Sequence, residues 1–212
     1  MYVNKVIVLI SPIITHQQDK TVIACADINT NFSLASKQNV QSLAVRQLLS
    51  WLQCRLNLTG RLIETAFPYH FFSQNNQQFF VCFSHSQNKV AVIISPKICA
   101  IDIETRVIKQ SIAKHFFHAD ELMFLHKMPT KNQEFFCLVL WQFKENLVKL
   151  YGQTLIFWLR QNHSQILPYI KYSNNKQSIK LNFNVCQDHC QKDSCQQFFC
   201  HQDYQYSAIF ST

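Results

Sequence analysis

Hydrophobic and acidic residues alternate at positions 101–104, where Ile101 and Ile103 are followed by Asp102 and Glu104 respectively. A strand with this pattern buries its isoleucines on one face and turns both acids toward the other face. Magnesium binds oxygen ligands and takes few protein carboxylates, leaving its other positions to water and substrate phosphates. The segment therefore predicts a strand that carries half of a site for a hard cation.

A helical pattern covers residues 131–151. Its apolar residues form one stripe, made of Phe136, Leu140, Phe143, Leu147 and Leu150. Glu145 falls on the opposite side, which also carries Trp141, and a carboxylate in such a partly enclosed place requires a counter-ion or a metal. Lys149, one turn later, and the neighbouring Lys144 are predicted to set two cations beside it.

The remaining patterns predict two halves, separated at the break Ser95-Pro96-Lys97. The elements predicted for the first half are strands near 3–10, 21–28, 79–83 and 90–95 and a helix near 38–56. Those predicted for the second half, besides the two segments above, are helices near 109–116 and 119–127 and strands near 154–159, 166–170, 178–185 and 204–210. Gly152 is a candidate stop for the long helix. We expect an α+β fold with an N-terminal half, 1–97, and a C-terminal half, 98–212, each a helix laid on strands.

Composition narrows the classes of function. The chain has 212 residues, 48% of them hydrophobic, which is ample for a core. It contains only two glycines, which excludes a glycine-rich phosphate loop or a dinucleotide fold, so phosphates must be held by side chains. The net charge of +8 favours an anionic partner, either nucleic acid or a coenzyme with several phosphates together with an acidic protein.

The apolar run Val6–Ile10 ends at Ser11-Pro12, too short for a signal peptide or a membrane span. Without export, the nine cysteines are predicted to be free thiols and the cytoplasm is the expected location. Four of them form a C-x3-C-x4-C-x4-C tail: Cys186, Cys190, Cys195 and Cys200. A soft-metal site is one interpretation, but the tail lacks paired C-x2-C spacing and free thiols in a loop are favoured.

Taken in order, these motifs resemble the 4′-phosphopantetheinyl transferase superfamily. Ala100-Ile101-Asp102-Ile103-Glu104 is similar to its Gly-(Val/Ile)-Asp-x-Glu strand, and Trp141 to Lys149 is similar to its Trp-(Ser/Thr)-x-Lys-Glu-(Ser/Ala)-x-x-Lys helix; the two glutamates are 145 − 104 = 41 positions apart. Upstream, Phe83-Ser84-His85-Ser86 is similar to the family's Ser-His-Ser block, and Arg46 resembles an arginine of its first helix. The matches extend from about Lys37 to Leu155 and indicate the larger, single-chain, pseudo-dimeric group.

The resemblance implies a pseudo-twofold arrangement with the active site between the halves. It implies Mg²⁺ held by Asp102, Glu104 and Glu145, and catalysis by Glu145 and Lys149. The residues expected to contact coenzyme A are Lys37, Arg46, Ser84, His85, Lys144 and Lys149. The implied reaction moves 4′-phosphopantetheine from coenzyme A to a serine of an apo acyl or peptidyl carrier protein and releases adenosine 3′,5′-bisphosphate. A monomer is expected, with neither nucleic acid nor membrane as a partner.

The chain departs from the family pattern at three places. Ala100 replaces a glycine, Asn146 replaces serine or alanine, and the Gly-Lys-Pro stretch that holds adenine has no counterpart in the region Phe67–Phe72. Two other functions therefore stay open: a non-catalytic basic module that binds nucleic acid, and an inactive homologue of the transferases.

Overall fold

Two antiparallel sheets and their flanking helices form the protein in the computed structural model, which describes residues 10–29, 37–170, 179–184, 195–201 and 205–211. The fold is α+β, as predicted. Within the described residues no helix is both long enough and apolar enough to cross a membrane.

The first sheet has five strands in the order β1-β2-β5-β4-β3. Their bounds are β1 Ile10–Gln18, β2 Thr21–Ile28, β3 Tyr69–Phe72, β4 Gln78–Ser86 and β5 Lys89–Ser95. Helix α1, Lys37–Arg55, covers one face of this sheet, where Leu48 and Leu52 pack with Val22 and Ala24 of β2. Residues of β2 are buried on both of its faces, because the opposite face of the sheet is also covered.

The second sheet has four strands in the order β6-β9-β8-β7. Their bounds are β6 Cys99–Ile103, β7 Ile179–Asn184, β8 Cys195–His201 and β9 Tyr206–Ser211. The helices that follow β6 are α2 Gln110–Phe116, α3 Ala119–Lys127, α4 Thr130–Tyr151 and α5 Leu155–Arg160, with a 3-10 helix at Ser164–Tyr169. The stripe of α4, including Phe143 and Leu147, packs against Phe198 and Ile209 of the sheet.

The two sheets face each other through a third hydrophobic cluster. Ile23 and Ile93 of the first sheet pack there with Ile101 and Ile103 of β6, which confirms that the isoleucines of the alternating segment are buried. Several contacts come from small side chains, namely Cys25, Cys82, Ala91, Cys99, Ala100 and Ala208. Because these side chains are short, the two sheets approach closely. The layers therefore run in the order α1, first sheet, second sheet, α2 to α5.

Several predicted elements agree with the structure and several are wrong. The strands near 21–28 and 90–95 and the helices near 109–116, 119–127 and 131–151 are confirmed, and Gly152 ends α4 with a left-handed φ of 70°. The strands predicted near 154–159 and 166–170 are wrong, because both segments are helical. The Thr154 hydroxyl accepts the Phe157 backbone N–H and caps α5, a local signal that the apolar run conceals.

Strands β1, β3 and β8 are not anticipated by the sequence patterns. Most of the strand predicted near 3–10 lies outside the described residues, as do Cys186 and Cys190 of the tail. The predicted loop is wrong for 195–201, since β8 is an inner strand between β7 and β9. The prediction that the tail thiols are free stays a prediction.

Candidate active site

Strands β4 and β6 belong to different sheets, yet side-chain hydrogen bonds join them at every second residue. The pairs are Phe80–Cys99, Cys82–Ile101, Ser84–Ile103 and Ser86–Thr105. The partners in every pair are 19 positions apart, so the two strands run in the same direction. The thiol contacts are weak, while Ser84 and Ser86 accept true backbone N–H bonds at 3.1 and 3.2 Å. We call this row of pairs the seam.

The seam fixes both acids of the β6 segment. Ser84 donates to Asp102 Oδ1 at 3.0 Å, and Ser86 donates to Glu104 Oε1 at 2.7 Å. Each hydroxyl thus accepts one backbone N–H and gives its single proton to a carboxylate. Asp102 and Glu104 are buried almost completely by the same arrangement. Their carboxylates are consequently held in place by the opposite half of the protein.

A cleft of about 850 Å³ opens beside the seam. It is lined by Gln41, Ser42, Val45, Arg46, Glu64, Tyr69, Phe83, Ser84, His85, Ser86, Gln87, Asp102, Ile103, Glu104, Arg106, Trp141, Glu145 and Lys149. These residues come from α1, β3, β4, β6 and α4 and from the segments that follow α1, β4 and β6. The volume lies within the usual range for cofactor sites.

Most of the predicted site residues meet in this cleft. They are Arg46, Ser84, His85, Asp102, Glu104, Glu145 and Lys149. Lys37 is the first residue of α1, and its side chain lies outside the description. The Ser84 proton is directed to Asp102, so this hydroxyl positions a carboxylate here and does not present its proton to the cleft.

Lys144 is a correction to the predicted site. Its ammonium group is fully buried and donates to Glu121 Oε2 and to the backbone oxygens of Leu159 and Gln161, each at 2.8 Å. All three ammonium protons are therefore used inside the C-terminal half. The prediction that Lys144 contacts coenzyme A is wrong, because successive helical residues point about 100° apart and only Glu145 of the pair faces the cleft.

Three cations in the cleft wall are each paired with a carboxylate. Lys149 Nζ lies 2.9 Å from Asp102 Oδ1 and also donates to the Ile101 carbonyl at 2.6 Å. The other two pairs are Arg106–Glu104 and Arg46–Glu64, both at 2.6 Å. The cleft is thus lined by charges of both signs, held close together.

The charges perturb the acids of the cleft in opposite directions. Burial and the neighbouring Asp102 raise the pKa of Glu145, and Glu104 adds to this. Burial would also raise the pKa of Glu104, but hydrogen bonds from Arg106 and Ser86 outweigh it and hold this pKa below its ordinary value. One acid is therefore stabilised as a carboxylate while Glu145 holds a proton more readily.

The cations and His85 are perturbed as well. Burial alone would lower the pKa of Lys149, but Asp102, Cys82 and Glu145 together raise it. Partial desolvation and the nearby Lys149 lower the pKa of His85. At neutral pH the His85 ring is consequently neutral and can donate one N–H, while Lys149 keeps its charge.

The donor set fits a hard divalent cation. Asp102, Glu104 and Glu145 offer only oxygen, the element that Mg²⁺ prefers. Burial raises the pKa of Glu145, and repulsion from the Asp102 and Glu104 carboxylates adds to this. A divalent cation would relieve that repulsion. In the described part of the chain, no three His, Cys, Asp or Glu side chains are already arranged as a metal cluster. The assignment of these carboxylates to Mg²⁺ stays a prediction.

Some cleft residues have no signal in the predicted motifs. Arg106, Glu64 and Tyr69 lie in or near irregular segments whose return to the cleft depends on tertiary packing. Ser86 could have been found from the strand period, because it is two residues beyond Ser84 on β4 and so shares its face.

Comparison with known proteins shows which family the chain resembles. The family model of the 4′-phosphopantetheinyl transferase superfamily matches residues 98–209. A 4′-phosphopantetheinyl transferase of Aneurinibacillus migulanus is 31% identical over 104 residues, which are 46% of this chain and 43% of that protein. One of Bacillus pumilus is 36% identical over 77 residues, 36% of this chain and 33% of that protein. The alignments thus span less than half the length of these relatives. With the family model matching more than half of its residues, the chain belongs to the 4′-phosphopantetheinyl transferase superfamily.

Proposed function

We propose that the protein transfers the 4′-phosphopantetheine group of coenzyme A to a serine of an apo acyl or peptidyl carrier protein. The observation that carries this proposal is the meeting of Asp102, Glu104 and Glu145 with Lys149 in one cleft. Carboxylates repel a polyanion unless a metal intervenes, whereas lysine and arginine attract it. A wall with both kinds of charge suits a pyrophosphate accompanied by a divalent cation.

In this proposal Asp102, Glu104 and Glu145 hold Mg²⁺, which would supply charge neutralisation at the pyrophosphate. Lys149 places a fixed cation beside it, since its ammonium group is tied to Asp102 and to the Ile101 carbonyl. His85 and Arg46 contact other phosphate oxygens, and Lys37 is proposed to approach the 3′-phosphate. Ser84 acts by orienting Asp102.

Glu145 is the proposed general base. Its pKa is raised in the metal-free protein, and bound Mg²⁺ would lower it again, so at neutral pH the side chain would be ionised and able to accept a proton. It takes the proton of the carrier serine, directly or through a water molecule, while the serine oxygen bonds to the phosphorus that bears pantetheine. The bond from that phosphorus to the bridging oxygen breaks, and adenosine 3′,5′-bisphosphate leaves with the electron pair. Bond formation and bond cleavage therefore balance without any further reactant.

The finer features of the family group are part of the same proposal. In the described residues the first half has one helix on its sheet, the second half has several, and the cleft draws residues from both halves. This supports a pseudo-twofold arrangement of 1–97 and 98–212 with the active site between them. A cytoplasmic monomer is proposed. The cytoplasm is where coenzyme A and carrier proteins would meet the enzyme.

The test is incubation of the protein with coenzyme A, Mg²⁺ and apo-carrier proteins, followed by intact-mass measurement of the carrier. We expect the mass of one phosphopantetheine group to be added. Glu145→Gln should abolish the addition, whereas Glu134→Gln, an exposed acid on the same helix, should not. An unmodified carrier with every apo substrate tried, in the presence of bound coenzyme A, would indicate an inactive homologue.

The alternative function, binding of nucleic acid without catalysis, predicts a different binding behaviour. Such a module should bind random oligonucleotides with steep salt dependence and without any requirement for magnesium. The three carboxylates of the cleft oppose that mode of binding. A salt titration with oligonucleotides, with and without Mg²⁺, distinguishes the two functions.

A further inference from the structure

Arg106 forms a two-point contact with Glu104 at the mouth of the cleft. Its Nε lies 3.1 Å from both carboxylate oxygens, and its Nη2 lies 2.6 Å from Oε2. The Glu104 side chain is 6% exposed, whereas that of Arg106 is 69% exposed. The buried acid is thus covered by a cation that is itself largely in solvent.

Both oxygens of Glu104 are occupied in this arrangement. Oε1 accepts hydrogen bonds from the Ser86 hydroxyl at 2.7 Å and from the Arg106 backbone N–H at 2.8 Å. The Arg106 guanidinium contacts Oε1 as well, through Nε at 3.1 Å. Oε2 is contacted by the guanidinium alone among the residues that the structure describes. A metal ion at Oε2 would lie beside the guanidinium, and the repulsion between the two cations favours movement of Arg106 away from the carboxylate.

We propose that Arg106 is an exchangeable counter-ion, which covers Glu104 in the empty cleft, leaves it when a divalent cation binds, and then contacts a phosphate oxygen of the ligand. This rests on the proposed function, because it assumes that Glu104 is a metal ligand and that the ligand carries phosphates. The guanidinium suits the second partner, since its planar fork matches phosphate as well as carboxylate. Its high exposure leaves the side chain room to turn.

Exchange has a thermodynamic consequence. In this proposal the metal displaces Arg106 from Glu104, and the released guanidinium is then able to contact an anion in the cleft. Binding of the metal therefore favours binding of the phosphate ligand, and by linkage the ligand favours the metal to the same extent. A permanent clamp predicts the opposite behaviour, because an arginine that merely orients Glu104 would help the metal and have no share in the phosphate.

Calorimetry of metal binding in the absence of carrier protein separates the two roles. Mg²⁺ is titrated into the protein alone, and coenzyme A is titrated with and without saturating Mg²⁺. We expect Arg106→Gln to bind Mg²⁺ alone about fivefold or more tightly than the wild type, and coenzyme A about tenfold more weakly. The coupling between the two ligands should fall in this variant. Arg106→Lys should lie between the wild type and Arg106→Gln, since it keeps the charge and loses the fork.

Arg55→Gln is the matched control. It removes the same charge from an exposed position on α1, nine residues beyond Arg46 and about 13 Å further along the helix. We expect both affinities to match the wild type there. A thermal melt of each variant checks folding, which the exposed Arg106 side chain should hardly affect.

Weaker or unchanged Mg²⁺ binding in Arg106→Gln would overturn the exchange and make Arg106 an orienting clamp. Unchanged coenzyme A affinity would also overturn it. If the wild type binds both ligands and only the Arg106 effects are missing, the exchange fails and the proposed function stands. If the wild type binds neither Mg²⁺ nor coenzyme A, both fail together.

Discussion

The ammonium group of Lys144 lies 2.8 Å from the carboxylate of Glu121, and both side chains are completely buried. Glu121 also accepts the backbone N–H groups of His118 and His163, at 3.0 and 2.8 Å. The pair thus joins the start of α3, the middle of α4 and the segment after α5. Lys144 belongs to the family motif but faces away from the cleft, so its role is to stabilise the fold.

Removing the cation should destabilise the protein strongly. Lys144→Met leaves Glu121 charged and buried without its partner, which typically costs about 3–5 kcal/mol. We expect urea unfolding to show that loss, whereas Lys131→Met, at an exposed position of the same helix, should change stability by under about 0.5 kcal/mol. Equal stability of the two variants would mean that the pair contributes nothing to the fold.

Ionisation of Glu145 should set the acid limb of the pH–rate profile and should also lower the stability of the folded protein. As a base it must be ionised, so activity should rise with pH through the pKa of this carboxyl in the Mg²⁺-loaded enzyme, which bound Mg²⁺ should hold below the raised value of the metal-free protein. Glu145→Gln should lower kcat by at least about 100-fold. A pH–rate profile of the wild type gives the first result and single-turnover mass measurements give the second.

The stability effect of Glu145 has the opposite sign from its catalytic effect. A carboxyl whose folded pKa is raised binds more protons in the folded state, so its ionisation lowers stability as pH rises past the unfolded value. Glu145→Gln should therefore be more stable than the wild type at pH 7, and the difference should vanish well below pH 4.5. A less stable variant at pH 7 would show that the ionised carboxylate has a favourable partner.

His163 should make the protein sensitive to acid. Burial, with a smaller contribution from Lys144, lowers its pKa to about 3, from 6.5. The unfolded chain then binds more protons between these values, so stability is lost as pH falls below about 6.5. His163→Phe keeps the aromatic contact with Phe143 and should flatten this loss. Urea unfolding at several pH values measures it, with the exposed His115→Gln as the control that should retain the wild-type slope.

Glu64 should weaken phosphate binding by occupying Arg46. The two side chains are partly exposed and lie 2.6 Å apart at one end of the cleft. If Arg46 contacts coenzyme A, Glu64→Gln should tighten that affinity by about two- to fivefold, the range for one exposed ion pair. Asp27→Asn, which breaks the Lys89–Asp27 pair outside the cleft lining, is the matched control. Unchanged affinity in Glu64→Gln would remove Arg46 from the ligand contacts.

The parts of the fold that follow from sequence are those with long, regular patterns. The stripe of α4 and the apolar run of β5 identify their elements because many residues agree on one period. The run Leu155–Arg160 is too short to show a helical or strand period, and the N-cap at Thr154 is the local feature that identifies it as a helix. Strand β8 is polar and cysteine-rich, and its place between β7 and β9 depends on pairing partners distant in sequence.

The site residues also fall into two groups, those that a sequence pattern predicts and those that it does not. The acids of β6 and the Glu145–Lys149 turn follow from period and spacing, and the structure brings them into one cleft. Lys144 is assigned to the site only by its place in the family motif, whereas the helical period places it about 100° around α4 from Glu145 and so away from the cleft. Arg106 lies beyond the end of β6, where no period applies, and only the folded chain shows that its side chain turns back onto Glu104.

Because the cleft opens beside the seam between the two halves, a ligand bound in it would contact both halves. The walls of the cleft belong to the two halves of the protein, because Arg46 stands on α1 of the first half and Lys149 on α4 of the second. A polyanion held by both would act as a non-covalent cross-link between the halves, since ligand binding to the folded state alone adds to its stability. We expect the filled cleft to make the two halves melt as one cooperative unit, with coenzyme A serving as part of the interface.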